Sequence, residues 1–259
     1  MARFSCKTKI ISGTGALSVL KDLGSKRLFL VTDPYFVKSG KAKEILGISG
    51  AAETEIFSEV KPDPSVELAA QGTARLRAFN PDTVVALGGG SAMDCAKAMV
   101  YFSGLAVRFV AIPTTSGSGS EVTDFAILTH NDIKQPLVDE KLRPDVAILD
   151  AALLVDMPKT LIADAGFDVL SHAVESFVAT DAGAISDALA ADAFTAAFCL
   201  LGASYGGKKE ARQRIHEAAT MAGLAFTHAG LGLCHAMAHA LGGVFHVPHG
   251  RLNAVKHIN

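Results

Sequence analysis

Carboxylate and imidazole side chains recur at helical spacing in the C-terminal part of the sequence. Asp168 and His172 are four residues apart, and His235 and His239 repeat that spacing. On a helix such a pair projects from one face, so each pair could offer two ligands to one metal ion. His249 follows between a proline and a glycine, where the chain must turn.

The density of histidines strengthens the metal interpretation. A single histidine is more often a hydrogen-bonded core residue than a ligand, but one apolar segment contains five of them: His228, His235, His239, His246 and His249. Burying several imidazoles is costly unless a partner pairs them, and a divalent cation does so directly. One carboxylate and up to three imidazoles suit Fe(II) and Zn(II) equally, so the metal stays open between these two.

A glycine-rich turn lies further toward the N-terminus. Gly88, Gly89, Gly90 and Ser91 lead from an apolar strand pattern into a helical pattern. Glycines let backbone N–H groups approach a phosphate closely, and a helix start adds partial positive charge. The turn therefore favours the pyrophosphate of a dinucleotide, although a tight turn without a ligand explains a lone glycine triplet about as well.

Two further features favour a nucleotide. Residues 113–121 form a loop of hydroxyls and glycines after the next strand pattern, and the carboxyl ends of successive parallel strands meet at one crevice. Asp33 ends an earlier strand pattern, where a carboxylate can bind an adenosine ribose and repel a 2′-phosphate. The competing interpretation of Asp33 is a helix N-cap before Pro34.

The elements that must position these residues follow from hydrophobic periodicity. Apolar runs alternate with helical patterns from residue 26 to about 150, which is typical of parallel strands joined by crossover helices. We predict strands at 27–32, 83–87, 108–112 and 146–149, and helices at 66–79 and 92–102. Only helical patterns follow from residue 159 onward. The fold class is therefore an α/β Rossmann-like N-terminal domain, residues 1–155, followed by an all-α C-terminal domain, residues 156–259.

Composition excludes several classes of protein. A chain of 259 residues that is 49% hydrophobic is neither disordered nor fibrous. The formal net charge of -2, without a basic stripe, argues against nucleic acid as a partner. The four cysteines lie far apart without a C-x-x-C pair, which favours free thiols in a reducing compartment and hence the cytoplasm. The N-terminus lacks the apolar stretch of a secretory signal.

A membrane is not an expected partner. No window of the sequence is expected to supply the apolar length that spans a bilayer. Residues 184–201 are rich in apolar side chains, but Asp187 and Asp192 interrupt them. We therefore predict a buried helix of a soluble protein there.

These motifs together resemble the iron-containing (group III) alcohol dehydrogenase family over essentially the whole chain. They comprise residues 88–91 with Asp94 and Lys97, the loop 113–121, Gly166 with Asp168 and His172, and residues 235–250. Gly13, Gly15, residues 62–64 and Gly232 are most similar to the 1-propanol and ethanol dehydrogenases of propanediol and ethanolamine utilisation. The resemblance adds a bacterial microcompartment as an alternative location within the cytoplasm.

The resemblance implies a function and a set of site residues. The activity would interconvert a short-chain primary alcohol and its aldehyde with NAD(H), with hydride transfer at a substrate whose oxygen is held by Fe(II) or Zn(II), in a homo-oligomer. The metal ligands would be Asp168, His172, His235 and His249, with His239 as a proton relay. The nucleotide contacts would be Asp33, Asp63, Gly89, Gly90, Ser91, Thr114, Thr115, Ser118, Thr123 and Lys134. Position 118 is usually threonine in this motif, and serine keeps the hydroxyl.

The end of the sequence departs from the family pattern. Family members continue with several more helices, whereas this sequence ends at Asn259, so the expectation is a C-terminally shortened member with an incomplete helical domain and reduced activity. Two alternatives stay open. One is a metal-dependent hydrolase or lyase that uses the same Asp/His site. The other is a catalytically impaired fragment that binds nucleotide or partner chains.

Overall fold

The computed structural model describes residues 4–131, 133–245 and 247–258. His246, one of the clustered histidines, lies outside the described residues. The described residues form two compact units. The sheet unit comprises residues 7–114 and 124–150, and the helical unit comprises residues 1–6, 115–123 and 151–259. The domain limits given above, 1–155 and 156–259, stay a prediction.

The sheet unit is built on a six-stranded parallel sheet with a separate antiparallel pair. In chain order its strands are β1 Lys9–Ser12, β2 Arg27–Thr32, β3 Glu53–Phe57, β4 Thr83–Gly88, β5 Arg108–Pro113, β6 Phe125–His130, β7 Ile133–Val138 and β8 Val146–Leu149. The parallel sheet has the order β1-β8-β5-β4-β2-β3, and β6 pairs with β7. Strands β4 and β8 are buried along their whole length, as expected where both faces of a parallel sheet are covered.

Helices of the sheet unit connect these strands. They are α1 Pro34–Lys38, α2 Lys41–Ser49, α3 Val66–Phe79 and α4 Gly90–Ser103, with short 3-10 helices at Ala16–Leu23 and Glu140–Leu142. Ser65 caps α3 because its hydroxyl accepts a hydrogen bond from the backbone N–H of Leu68 at 3.1 Å. Phe29 and Val84 from the sheet pack with Met93 and Met99 of α4 in one buried cluster, so burial of apolar surface holds α4 against the strands.

The helical unit contains α5 Lys159–Val178, α6 Ala184–Tyr205, α7 Lys209–Ala229, α8 Leu233–Phe245 and α9 His249–Ile258, after a 3-10 helix at Ala151–Leu154. Small side chains allow the long helices to approach each other closely. Ala193 and Ala197 of α6 share a buried cluster with Ala218 and Ala222 of α7. At Gly166 of α5, an added Cβ atom would lie 2.2 Å from a methyl of Leu201. A side chain there would therefore require Leu201 to move.

The fold class and the predicted elements are confirmed within the described residues. The four predicted strands are β2, β4, β5 and β8, and the two predicted helices are α3 and α4. The hydrophobic pattern did not predict β1, β3 or the β6–β7 pair. Edge strand β3 carries Glu53 and Glu55 and is half exposed, so it lacks the continuous apolar pattern of the central strands.

Helix α6 corrects two expectations. The sequence was expected to contain no apolar stretch long enough to span a bilayer, but α6 has that length and composition, and only 28% of its most apolar 18 residues are buried. The expected helix forms, but much of its apolar surface is exposed, whereas a buried helix was predicted. Phe194 and Phe198 are exposed there. A single such helix is weak evidence for a membrane, since helices of soluble proteins meet the same criterion.

Candidate functional site

The structure brings the four predicted metal ligands together. Asp168 and His172 lie one turn apart on α5, His235 lies in the first turn of α8, and His249 begins α9. Each side chain offers one ligand atom, and these atoms lie within 4.8 Å of one another. Three helices therefore converge on a cluster of one carboxylate and three imidazoles, the set of donors that suits Fe(II) or Zn(II).

A glycine allows α9 to reach α5. An added Cβ atom at Gly250 would lie 2.0 Å from the carbonyl oxygen of Asp164, so no other residue fits without moving a helix. Arg251 binds the carboxylate of Asp164 through two hydrogen bonds of 3.1 and 3.0 Å. This close packing places Nε2 of His249 3.7 Å from Oδ1 of Asp168.

Burial determines the protonation of His172. His172 stacks between the rings of Phe226 and His235, each with a centroid distance of 4.5 Å. Burial lowers the pKa of His172 to about 3, although Asp168 acts in the opposite direction. Its Nδ1 atom has no hydrogen-bond partner among the described residues. The imidazole is therefore neutral at pH 7, which is the form that binds metal ions.

The carboxylate of Asp168 is also suited to a cation. Burial alone would raise the pKa of Asp168, but His172, His249 and His235, with a hydrogen bond from Asn253, outweigh burial and hold the pKa below its ordinary value. Asp168 is only 7% exposed. An ionised carboxylate and a neutral imidazole in a buried cluster fit a divalent cation.

Asn253 contacts three of the four ligand atoms, and the sequence analysis did not select it. Its Nδ2 atom lies 2.8 Å from Oδ1 of Asp168, 3.1 Å from Nε2 of His235 and 3.2 Å from Nε2 of His249. An amide nitrogen carries two hydrogens, so it cannot donate fully to three acceptors at once. The signal in the sequence is its position four residues after His249 on the same helix face.

Glu175 is the second residue that the sequence analysis missed. Its Oε2 atom lies 2.5 Å from Nδ1 of His235, and its carboxylate also accepts hydrogen bonds from the backbone of Gly232 and Cys234 at 3.0 and 2.7 Å. Burial alone would raise the pKa of Glu175, but these hydrogen bonds lower it to about 2. It follows His172 by three residues and so shares the site-facing side of α5.

His239 lies beside the cluster. It is one turn beyond His235 on α8, and its ring centroid is 4.6 Å from that of His249. His239 is half-buried, whereas His235 is 2% exposed. Its position is compatible with the proton relay that the resemblance implies, and that role stays a prediction.

Within the sheet unit, several of the expected nucleotide contacts share one edge of the sheet. Leu87 pairs with Thr32, and Gly88 pairs with Pro113, so Asp33, Gly89 and Thr114 directly follow the aligned ends of three neighbouring strands. Gly90 and Ser91 begin α4. Backbone N–H groups at a helix start suit a phosphate. An added Cβ atom at Gly88, whose φ is +154°, would lie 2.5 Å from Cβ of Ala92, which explains a glycine in this turn.

Asp33 has the capping role that the sequence left as an alternative. Its Oδ1 atom accepts hydrogen bonds from the backbone N–H groups of Tyr35 and Phe36 at 2.8 and 3.4 Å, and Pro34 occupies the first turn of α1. The other carboxylate oxygen lies on the side of Gly88, 3.9 Å from where a Cβ atom would be. A ribose contact through that oxygen stays a prediction.

The remaining expected nucleotide contacts lie in two places. Asp63 and Lys134 form an ion pair of 2.7 Å in the sheet unit, where β6 is tied to the same loop by a hydrogen bond from Thr129 N–H to the carbonyl of Pro64. Thr115, Ser118 and Thr123 belong to residues 115–123 of the helical unit.

Residues 115–123 are fixed within the helical unit by α7. Ser116 Oγ lies 3.0 Å from Nδ1 of His216, and the hydroxyl of Thr220 donates to Glu121 at 2.5 Å. All four side chains are buried. The loop therefore takes its shape from buried polar contacts with a helix far along the chain.

The comparisons with known proteins agree with this fold, and the matching family is described as iron-containing. Residues 7–151 match the family model for iron-containing alcohol dehydrogenase, and residues 162–257 match the C-terminal model of the same family. The chain belongs to the iron-containing alcohol dehydrogenase family.

Individual relatives are similar over nearly the whole chain. The 1-propanol dehydrogenase PduQ of Citrobacter freundii is 43% identical, with 98% of this chain and 71% of that protein covered. The NADPH-dependent butanol dehydrogenase of Clostridium saccharobutylicum is 40% identical, with 98% and 72% covered. Among solved structures, an iron-containing alcohol dehydrogenase from Thermococcus thioreducens has a TM-score of 0.92 at 37% identity, and covers 98% of this chain and 74% of its own.

Proposed function

We propose that this chain interconverts a short-chain primary alcohol and its aldehyde with NAD(H), using a divalent metal held by Asp168, His172, His235 and His249. The convergence of these four ligand atoms within 4.8 Å carries the proposal. Membership of the iron-containing alcohol dehydrogenase family supports it. Relatives named as 1-propanol and butanol dehydrogenases support a small alcohol as the substrate.

The protein side chains around the cluster have separate tasks. A bound Fe(II) or Zn(II) supplies Lewis acidity, which favours deprotonation of an alcohol and polarises a carbonyl. Asp168, His172 and His235, which are buried, and the partly exposed His249 would hold the ion. We propose that His239 accepts the alcohol proton and passes it to solvent, and its half-buried position beside His249 supports this role.

The nicotinamide nucleotide supplies the second half of the reaction, as hydride acceptor or donor. We propose that its pyrophosphate lies at Gly89, Gly90 and Ser91, because the backbone N–H groups at the start of α4 can bind phosphate oxygens. Asp33 would select NAD(H) by repelling a 2′-phosphate. A similar structure, sulfoacetaldehyde reductase from Bifidobacterium kashiwanohense at 32% identity, was solved with NAD+.

The expectations on location and partners remain proposals. We propose a cytoplasmic enzyme, with a microcompartment as the alternative because relatives carry the PduQ name, and neither nucleic acid nor a membrane as a partner. We also propose a homo-oligomer, because Phe177, Val178 and Phe198 expose apolar surface on α5 and α6. Light scattering that gives the mass of a monomer would contradict the oligomer.

No observation supports the competing functions. None of the relatives named above is a hydrolase or a lyase. A catalytically impaired fragment would retain nucleotide binding without turnover. Measuring the absorbance of NADH with propanal and added Fe(II) or Zn(II) separates these outcomes, because only the dehydrogenase oxidises NADH.

Two histidine substitutions test the assignment of roles. His249→Ala should abolish both metal retention and activity, because a site that loses one of four ligands exchanges its ion with buffer. His239→Ala should keep the metal and lower turnover by about 10²–10⁴-fold, the usual contribution of a proton relay. Elemental analysis and steady-state kinetics of both variants check this. Full metal content in His249→Ala, or metal loss in His239→Ala, would contradict the assignment.

A further inference from the structure

The side chain of Glu175 on α5 contacts the start of α8 beside the proposed metal ligands. We infer that Glu175 is a positioning residue, which holds His235 in the tautomer that binds metal and fixes the start of the helix that carries it. The inference rests on the proposed ligand set. Glu175 is buried, at 7% exposed.

The contact with Glu175 determines which nitrogen of His235 carries the hydrogen. A carboxylate without a proton can only accept hydrogen bonds, so Nδ1 of His235 must carry the hydrogen in its contact with Glu175. A metal ion binds the neutral imidazole, which has a single N–H group, so in that form Nε2 keeps its lone pair. Nε2 faces the cluster, 3.9 Å from Oδ1 of Asp168. Glu175 therefore presents His235 as a ligand, as carboxylates commonly do for metal-bound histidines.

Glu175 also binds backbone N–H groups at the start of α8. The first N–H groups of a helix have no partner within the helix. The carboxylate of Glu175 accepts from the backbone of Gly232, Cys234 and His235, at 3.0, 2.7 and 3.4 Å. A side chain from another helix thus caps α8. The negative charge also suits the positive end of the helix dipole.

Gly232 makes this approach feasible. An added Cβ atom at Gly232 would lie 3.0 Å from Oε1 of Glu175, so a side chain there would press on the carboxylate. The glycine lies immediately before α8 and donates its own N–H to Glu175. The absence of a side chain at Gly232 therefore lets its backbone contact the carboxylate of Glu175 directly.

Together these contacts give α5 a third functional position. Asp168, His172 and Glu175 share one side of α5, and the first two face the cluster directly. The third acts through His235. Helix α5, which supplies Asp168 and His172, therefore also fixes the position of His235 through Glu175. This contact holds the proposed ligand atoms at their relative positions.

The substitution Glu175→Gln separates this role from simple packing. Both carboxylate oxygens accept hydrogen bonds, one from Cys234 and the other from His235 and Gly232. Glutamine keeps the shape but offers one accepting oxygen and one donating nitrogen. In either amide orientation, one N–H group now faces another. We expect Zn(II) affinity of the full chain, measured by competition with a chelator, to fall about 10–100-fold.

The matched control is Glu210→Gln. Glu210 is exposed in the first turn of α7 of the same unit, so the substitution removes the same charge away from the cluster and should leave Zn(II) affinity unchanged. Nitrogen-15 spectra of chelator-treated protein provide a readout that a merely structural role would not move. His235 should carry its hydrogen on Nδ1 in the wild type, and lose that preference in Glu175→Gln.

The outcomes distinguish the inference from the proposed function. Loss of Zn(II) in His235→Ala together with wild-type affinity and tautomer in Glu175→Gln would overturn the role of Glu175. Wild-type Zn(II) affinity in His235→Ala would instead overturn the ligand set. If Glu175→Gln does not fold, Glu175→Asp serves as the second variant. It keeps the charge but shortens the side chain by one methylene, so the carboxylate withdraws from Nδ1 of His235 and Zn(II) affinity should fall; unchanged affinity there would again overturn the inference.

Discussion

At the scale of single residues, Asp33 caps a helix, and its second carboxylate oxygen leaves room for the nucleotide contact that the sequence offered as the alternative role. One carboxylate oxygen caps α1, while the other lies toward Gly88. A capping hydrogen bond requires an acceptor but no charge, since asparagine caps as well as aspartate. Repulsion of a 2′-phosphate requires the charge. The two roles can therefore be separated by a single substitution.

Asp33→Asn should keep the cap and relax the choice of nucleotide. A repelling charge at about 4 Å is worth about 1–4 kcal/mol, depending on exposure, so the ratio of kcat/KM for NADP(H) to that for NAD(H) should rise about fivefold or more. Thermal stability should hardly change. Asp22→Asn, at an exposed position of the same unit, is the control. An unchanged ratio in Asp33→Asn would leave Asp33 as a helix cap only.

Residue types and spacing predicted more of the metal cluster than of its surroundings. Asp168, His172, His235 and His249 could be selected because carboxylates and imidazoles are known ligands and the resemblance placed them. Glu175 could not, because its importance comes from contacts with a segment that begins at Gly232. Such a contact depends on how α5 and α8 pack, which periodicity alone does not determine.

At the scale of elements, residues 115–123 and α7 show how two glycines permit a close contact. An added Cβ atom at Gly119 would lie 2.6 Å from Cα of Gly223, and one at Gly223 would lie 2.8 Å from the carbonyl oxygen of Gly119. Both obstacles are backbone atoms, which cannot rotate away. Gly119 also has φ +61°, a conformation that other residues adopt at a cost.

Gly223→Ala should therefore destabilise the protein by about 1–3 kcal/mol, the usual cost of overpacking. Gly119→Ala adds backbone strain to the same clash and should cost at least as much. Gly202→Ala is the control, because nothing lies within 4 Å of an added Cβ atom there. It should be neutral or stabilising by up to about 1 kcal/mol. Urea unfolding curves measure all three. Equal stability of Gly223→Ala and Gly202→Ala would be inconsistent with the close contact.

The burial of each strand explains which strands the sequence could predict. Central strands such as β4 are buried on both faces and therefore read as continuous apolar runs. Strand β6 alternates buried and partly exposed positions, and β7, which contains Pro136, has no buried position. Proline and mixed polarity weaken a strand prediction, so this pair was visible only in the folded structure.

At the scale of the whole molecule, the cluster draws on widely separated parts of the helical unit. Asp168 and His172 precede the long segment formed by α6 and α7, whereas His235 and His249 follow it. An ion held by all four would close that segment into a loop. The four donor atoms come together only when the helical unit is folded, so the ion would bind the folded state and stabilise it by mass action.

Removing the ion would then shorten the lifetime of α8 and α9. Chelator treatment should raise the rate of proteolytic cleavage in these two helices about tenfold or more, since protease sensitivity follows the population of locally opened forms. The sheet unit, which contains none of the four ligands, serves as the internal control. Equal cleavage rates with and without chelator would contradict this expectation. The ion that activates the substrate would thus also determine how long the helices holding it remain folded.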